Sequence, residues 1–163
     1  MDAKLRQIKN ALKCFPWRIS SKVGLYKGSK IPIKFIVENA DWAIKFVGEN
    51  IKKQIDIIYP GNIEITSKPY QVVNSIVHFG SQYMWLNWGK HMSSENLYIT
   101  SFFHGKPEDG PEVERHIENF LASVPSLDKV ITGAGIVEQR LLKWGVPREK
   151  LTLIPIGVNT KLF

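Results

Sequence analysis

The stretch DKVITGAGIVEQRLLKWGVPREKLTLIPIGV, from Asp128 to Val158, decides the fold. An apolar segment runs into Gly-Ala-Gly, a helical pattern follows and closes at Gly145, and a second apolar segment completes the stretch. This order predicts two parallel strands joined by a helix. The turn also resembles the start of a dinucleotide fingerprint, but Glu138 replaces the third glycine and no acidic residue stands about 20 residues on. We therefore expect a tight strand-to-helix turn, and no cofactor is predicted.

The same alternation extends upstream to Ile31. It predicts an α/β domain, with a Rossmann-like open parallel sheet and helices on both faces, over residues 31–163. The segment IDIIY, residues 55–59, also has a strand-like pattern. The remaining expected strands cover 31–38, 62–66, 74–80, 96–105, 127–132 and 150–158, and the expected helices cover 40–55, 82–89, 112–123 and 135–145.

The bulk composition is that of a globular protein. The chain has 163 residues, of which 44% are hydrophobic and 23% charged, which suits one domain with a sizeable core. Its one cysteine, Cys14, excludes an internal disulfide and fits a reducing, cytosolic setting. Apolar runs are too short for a membrane span or a signal peptide. We expect a cytoplasmic protein, with peripheral membrane contact as the variant that the amino terminus suggests.

Residues 1–30 form a basic arm. The first 34 residues hold nine Lys or Arg and one acid, a net charge of +8, while the other 129 sum to −1. Leu5, Ile8, Leu12 and Phe15 follow a helical spacing that we expect Pro16 to end. Such a helix either lies on an anionic membrane surface or packs its apolar residues onto the domain with its lysines in water. Nucleic acid is not expected as a partner, because the near-neutral domain shows no recognition helix or aromatic RNA-binding motif.

Parallel sheets bind ligands at the carboxyl ends of their strands. We therefore expect a substrate site where the loops that follow four strands converge on one edge. These loops hold Asn39, Ala40, Asp41 and Trp42; Gly80 and Ser81 after the strand that contains His78; Phe103, His104, Gly105 and Lys106; and Gly133, Ala134 and Gly135.

His104 is the sharpest catalytic candidate, because it follows a buried strand pattern and precedes a glycine that lets backbone approach a ligand. Its alternative role is a hydrogen bond to the neighbouring loop. Asp41 and Trp42 either bind a polar ring, by hydroxyl contacts and stacking, or cap the next helix and pack in the core.

The other histidines and tryptophans favour structural roles. His78 is expected inside its strand, and His91 and His116 on solvated surfaces. Trp85 and Trp88 are expected in the core, with an exposed patch for a lipid-like partner as the alternative. No spacing of His, Cys, Asp and Glu indicates a metal site.

The carboxyl-terminal third resembles the end of the amino-terminal domain of family 4 (group 1) retaining glycosyltransferases, which have the two-domain GT-B fold. A strand, a turn, a helix ending in Gly-Val, and IPIGVN followed by Phe163 occur in the order of that family. The segments IVHFGSQ and FFHGK are similar to two of its strand ends. The resemblance covers residues 31–163. The chain departs from the family pattern at Gly133 and Gly135, where serine is usual, and at Ile156 and Asn159.

The resemblance implies an acceptor-binding half of a hexosyltransferase, used in polysaccharide biosynthesis, that moves a sugar from a nucleotide-sugar to an acceptor hydroxyl. It implies that the donor is bound mainly by a second domain, expected beyond a hinge at Phe163, and that the acceptor is a sugar or is lipid-linked. His104 matches a cleft histidine, and 39–42 match the acceptor loop. The alternative is a stand-alone module that binds a carbohydrate or a lipid head group without catalysis.

Overall fold

A computed structural model describes residues 3–26, 28, 32–40, 43–103, 105–155 and 157. Within these residues, six strands form one sheet in which every neighbouring pair is parallel. The strands follow the order β2-β1-β3-β4-β5-β6 across the sheet. They are β1 (Ile33–Ile36), β2 (Ile63–Thr66), β3 (Ile76–Phe79), β4 (Leu97–Phe102), β5 (Lys129–Thr132) and β6 (Leu151–Leu153). The predicted Rossmann-like open parallel sheet is confirmed.

Five α-helices accompany this sheet in the described part of the chain. They are α1 (Ala3–Lys22), α2 (Ala43–Ile58), α3 (Gln82–Trp88), α4 (Pro111–Ser123) and α5 (Gly135–Lys143). Helices α2 to α5 each begin after a strand has ended at its carboxyl end, so their amino termini face the same edge of the sheet. Short 3₁₀ turns fill several of the connections.

The helices cover both faces of the sheet, as the sequence predicts. On one face, Val77, Phe79 and Phe102 belong to the main core, which α1, α3, α4 and α5 complete. On the other face, Phe35 and Ile63 form a smaller core with the apolar side of α2. Alternate residues of a strand point to opposite faces, so the continuous apolar strands of the sequence fill both cores.

Helix α1 differs from the expected arm in its length and in the face that it packs against the domain. It continues through Pro16 to Lys22, although Pro16 removes one backbone hydrogen bond. Contacts beyond the proline hold the second half: the Trp17 ring meets Tyr26 edge to face at 5.0 Å, and the Ser21 hydroxyl donates to the Glu95 carboxylate. The expected end at Pro16 is therefore wrong.

The sequence also allowed the apolar side of this helix to pack on the domain, and that prediction is wrong. Leu5 and Ile8, expected against the domain in that alternative, are more than half exposed. The helix instead buries Asn10, Cys14 and Ser21.

The segment 55–59 is not a strand, since its first four residues complete α2. Ile51 and Ile55 repeat at one helical turn and both pack in the smaller core, and Lys52 pairs with Asp56 at 2.5 Å. The chain then turns at Gly61, whose φ of +76° suits glycine and whose N–H donates to the Asp56 carboxylate. Tertiary packing overrides the β-branched composition of this segment.

Trp85 is buried at 3% exposure, and Trp88 packs partly buried against the main core, so the predicted core role of both is confirmed. No helix in the described residues has the length and apolar character that crossing a membrane requires.

Candidate functional site

The carboxyl edge of the sheet gathers the loops that the sequence predicts as a site. The loops that follow β1, β3, β4 and β5, four adjacent strands, are called the carboxyl edge. Neighbouring strands lie about 4.8 Å apart, so the loops after β1 and β5 are separated by about 14 Å at the sheet. This span suits a ligand of one or two sugar rings. The expected convergence of the loops follows from the parallel strand order.

The connection changes direction between β1 and β3. The chain leaves β1 for β2 on one side, and it leaves β3 for β4 on the other. In open α/β sheets the crevice at such a switch point is the usual ligand site. Backbone hydrogen bonds extend the pairing just past the strands, from the Val37 N–H to the Thr66 carbonyl and from the Gly80 N–H to the Ile36 carbonyl, both at 3.1 Å. The floor of the crevice is therefore fixed.

Gly80 lets α2 approach the end of β3 closely. A Cβ at this position would lie 2.5 Å from Ile44 Cγ2 and 3.0 Å from Phe35 Cε1, both shorter than van der Waals contact. A larger residue here would push the first turn of α2 away from the switch point. The predicted site residue thus has a clear packing role, and its contact with a substrate stays a prediction.

Ser81 caps helix α3. Its hydroxyl oxygen accepts a hydrogen bond from the Tyr83 N–H at 3.1 Å, and the residue is only 3% exposed. An N-cap serine of this kind satisfies one of the unpaired N–H groups at a helix start. The sequence predicted Ser81 as a substrate ligand; the structure engages its hydroxyl in the cap.

The loop after β4 is tied to α5. Gly105 has a φ of +113°, which favours glycine, and its carbonyl accepts a hydrogen bond from Arg140 Nη1 at 3.4 Å. Lys106 is exposed, and its backbone N–H donates to the Asp109 carboxylate at 2.9 Å. Sequence reasoning missed Arg140, because only the fold brings this residue of α5 to the β4 loop.

The turn after β5 leads into α5 without a side-chain cap. Ala134 is the N-cap residue, and a Cβ on Gly135 would meet no atom within 4 Å. Open space beside uncapped N–H groups is a setting in which backbone can bind an oxyanion or a hydroxyl. Glu138, in the first turn of this helix, is buried and pairs with Arg148 at 3.1 Å. The position that a dinucleotide fingerprint gives to glycine is therefore occupied by an ion-paired carboxylate.

A cavity of about 470 Å³ opens at the carboxyl ends of β1 and β2. Its size is within the range of small-molecule pockets. It contains one of the predicted ligands, Asn39, and lies one strand away from the switch point. Its lining is Val37, Glu38, Asn39, Ala40, Lys45, Ile65, Thr66 and Ser67.

A larger groove of about 1190 Å³ lies beside the main core. It runs between α1, α3 and α4 and reaches Leu97 and Tyr98 at the start of β4. Its lining carries charges of both signs, from Arg18, Lys90 and Arg115 and from Glu112 and Asp128. It holds none of the predicted site residues.

His78 has the structural role that its place in the strand predicts. Its Nε2 lies 2.9 Å from the Ser101 hydroxyl, and its ring meets Phe35 edge to face at 4.7 Å. Burial lowers its pKa from 6.5 to about 4, so the imidazole is neutral at pH 7. A neutral ring can share one hydrogen bond with the serine without an unpaired charge inside the protein.

Two other histidines are less solvated than expected. His91 Nε2 lies 2.6 Å from the Gln7 amide oxygen, and burial, then Lys90 and Arg18, lowers its pKa. His116 stacks on Tyr83, with ring centroids 3.9 Å apart. Both lie on the surfaces that the sequence predicts, but each is only partly exposed, because α1 packs against His91 and α3 against His116.

Asp41, Trp42 and His104 lie outside the described residues, so their predicted roles stay predictions. In the described part of the chain, no group of three or more His, Cys, Asp or Glu side chains is placed to hold a metal ion.

In comparisons with known proteins, no family model, curated protein or solved structure matches this chain.

Proposed function

We propose that this chain is the acceptor-binding half of a retaining glycosyltransferase. The observation that carries the proposal is the carboxyl edge, where loops from four adjacent parallel strands meet at a switch point. The resemblance of residues 31–163 to family 4 glycosyltransferases names the reaction: a sugar moves from a nucleotide-sugar to an acceptor hydroxyl. The fold agrees with this proposal, while the substrates rest on the resemblance.

The chemistry of the edge suits a polyhydroxylated ligand. Backbone N–H groups at the uncapped start of α5 and the Asn39 amide offer uncharged hydrogen-bond partners. Sugars are bound by such groups because each hydroxyl both donates and accepts. Glu38 and Lys45, which also line the cavity beside β1, add one carboxylate and one ammonium group.

In the proposed reaction this half positions the acceptor. His104, which follows β4 in sequence, would orient the attacking hydroxyl, and the diphosphate would leave toward the donor domain. Alignment of two substrates supplies a large share of the rate in a two-substrate reaction, because it replaces a bimolecular encounter. The chain alone is therefore expected to bind an acceptor without transferring sugar.

The test is an NMR titration of the isotope-labelled chain with methyl α-D-glucopyranoside, methyl α-D-galactopyranoside and N-acetylglucosamine, with UDP-glucose in a parallel series. We expect one or more glycosides to shift the amide signals of 37–40, Gly80 and 133–135, and UDP-glucose to shift them less. His104→Ala should weaken the glycoside binding by about five- to hundredfold, since a truncated hydrogen-bond partner costs about 1–3 kcal/mol. His91→Gln is the control. His91 precedes the amino end of β4, so this change should leave glycoside binding unchanged.

Three outcomes would contradict the proposal. Glycoside shifts confined to the groove between α1 and α4 would place the sugar site elsewhere. Sugar transfer from a nucleotide-sugar by the 163-residue chain alone would show that the donor site is also here. Binding at the edge that gives no transfer even with a donor domain supplied would favour the alternative, a carbohydrate-binding module.

A further inference from the structure

Most surface helices turn their apolar face toward the core, but α1 turns its apolar face outward. Its polar and small residues face the protein: the Asn10 side chain donates to the Asn87 carbonyl at 2.9 Å, the Gln7 amide donates to the Leu86 carbonyl at 3.4 Å, and Cys14 is 1% exposed. These carbonyls belong to the last turn of α3, so α1 satisfies acceptors that a helix end leaves unpaired. The inner face of α1 is thus held in place by specific contacts.

The outer face of α1 carries a continuous apolar stripe. The residues recur every three or four positions, so they align along one side of a helix about 30 Å long. They are between 46% and 69% exposed, which leaves most of their apolar surface in water. We call this set the outer stripe; it consists of Leu5, Ile8, Leu12, Phe15 and Ile19.

The charge around the outer stripe is entirely positive. Helix α1 holds six Lys or Arg and no Asp or Glu. Lys9 and Lys22 are exposed and lie on opposite sides of the stripe, each about 70° from its centre on the helical wheel. Lys13 is directed elsewhere, with its Nζ 5.4 Å from the centre of the Tyr70 ring.

We propose that the outer stripe of α1 docks this protein on an anionic lipid bilayer, with the helix lying in the plane of the interface. An interfacial helix of this kind buries its apolar face at the boundary of head groups and acyl chains, while flanking lysines contact anionic head groups. The inner face of α1 stays packed on the domain in the bound state. This proposal is independent of the sugar-transfer proposal.

A second copy of the chain suits the stripe less well. Two α1 helices packed stripe to stripe would place Lys9 and Lys22 of each copy, four cations, beside the seam, with no acidic residue of α1 to pair with them. Helix pairs of this kind are stabilised by opposite charges beside the seam and destabilised by like charges. An anionic bilayer matches both the apolar stripe and its positive border.

The experiment measures binding of the 163-residue chain to phosphatidylcholine vesicles with and without about 30% phosphatidylglycerol, by flotation. We expect binding to the anionic vesicles, which falls with added salt, and little binding to the neutral ones. Leu12→Gln with Phe15→Gln should weaken binding more than about tenfold, through lost apolar burial. Lys9→Gln with Lys22→Gln should weaken it about thirtyfold and reduce its salt dependence.

Matched changes on α2 serve as controls. Ile57 and Ile58 are exposed by 72% and 68% on the opposite face of the sheet, and Ile57→Gln with Ile58→Gln should leave vesicle binding unchanged. Equal loss in this control and in the stripe variant would overturn the proposal. So would a dimer in solution that the stripe variant dissociates, because the stripe would then be a protein interface.

Cys14 reports whether α1 stays docked. It faces the domain, so an alkylating reagent should modify it equally slowly with and without anionic vesicles. Rapid modification on vesicles would mean that α1 leaves the domain to enter the lipid, and would overturn the docked geometry. Circular dichroism of each variant without vesicles confirms that a lost interaction is not lost folding.

Discussion

The burial of neutral His78 predicts how the free energy of unfolding changes with pH. Burial lowers its pKa to about 4, against 6.5 for the ordinary side chain. The unfolded chain therefore binds a proton at a higher pH than the folded protein does, and acid favours unfolding. The stability from this histidine is at full strength above pH 6.5 and declines as the pH falls toward 4.

The magnitude follows from the two pKa values. Between pH 7 and pH 5, protonation of His78 in the unfolded state alone lowers the free energy of unfolding by about 2 kcal/mol. The loss approaches about 3 kcal/mol below pH 4, where both states are protonated. These values are a large share of the stability of a domain of this size.

The assay compares urea unfolding of the wild type and of His78→Gln at pH 7 and pH 5, followed by tryptophan fluorescence. Glutamine keeps a hydrogen-bonding group near Ser101 but does not titrate, and it loses the edge contact with Phe35, a cost of about 1 kcal/mol at pH 7. The variant should lose about 2 kcal/mol less than the wild type between the two pH values. Other carboxylates and histidines contribute equally to both proteins, so they cancel in this comparison.

Two results would refute the reasoning. One is an equal pH dependence in the wild type and in His78→Gln. The other is an NMR titration of the His78 ring with a midpoint near 6.5, which would mean that water reaches the ring. His91→Gln is the control, and it should retain most of the pH dependence because His91 is less buried.

Three further predictions concern packing and charge. Gly80→Ala should destabilise the protein by about 1–3 kcal/mol in urea, since its Cβ would collide with α2, whereas Gly135→Ala, in open space, should cost nothing or add up to about 1 kcal/mol. Glu64→Gln should cost about 1–2 kcal/mol by the same measurement, because it leaves the ammonium group of Lys34, only 4% exposed, without the carboxylate 2.5 Å away; a neutral effect would contradict this. The Cys14 thiol, whose pKa burial raises to about 11, should react with Ellman's reagent at pH 8 more than about a hundredfold slower in the native protein than in urea, and equal rates would show that α1 is not packed.

The order of strands and helices was readable from the sequence because buried strands are short, continuous apolar runs, whereas apolar residues of the helices recur every three or four positions. The buried strands β3, β4 and β5 were all predicted within a few residues of their ends, since parallel strands covered on both faces are continuously apolar. The segment 55–59 failed because Ile and Tyr suit both a strand and the last turn of a helix. Its assignment depends on packing of Ile55 against the smaller core, which no local pattern records.

The convergence of the four loops was predictable from the sequence, but their contacts were not. The carboxyl edge follows from topology alone. The cap at Ser81 is local, and a serine directly before a helix is its sequence signal. The close approach at Gly80 and the Arg140 contact with Gly105 instead join elements that lie apart in sequence. Such contacts leave no periodic signal, so they appear only when the fold is known.

The membrane proposal depends on which side of α1 faces the domain. The spacing of apolar residues in the sequence could not predict that side. An apolar stripe in a basic helix fits burial in a core and burial in lipid equally well, because both environments remove the same surface from water. The structure shows that the stripe faces away from the core, since Asn10 and Gln7 already satisfy carbonyls of α3 on the opposite side. Turning the stripe inward would leave those carbonyls without partners and bring the flanking lysines toward the core, each at a substantial desolvation cost. The exposed stripe is therefore a consequence of how the polar face is anchored, and an anionic bilayer is the environment that we propose covers it.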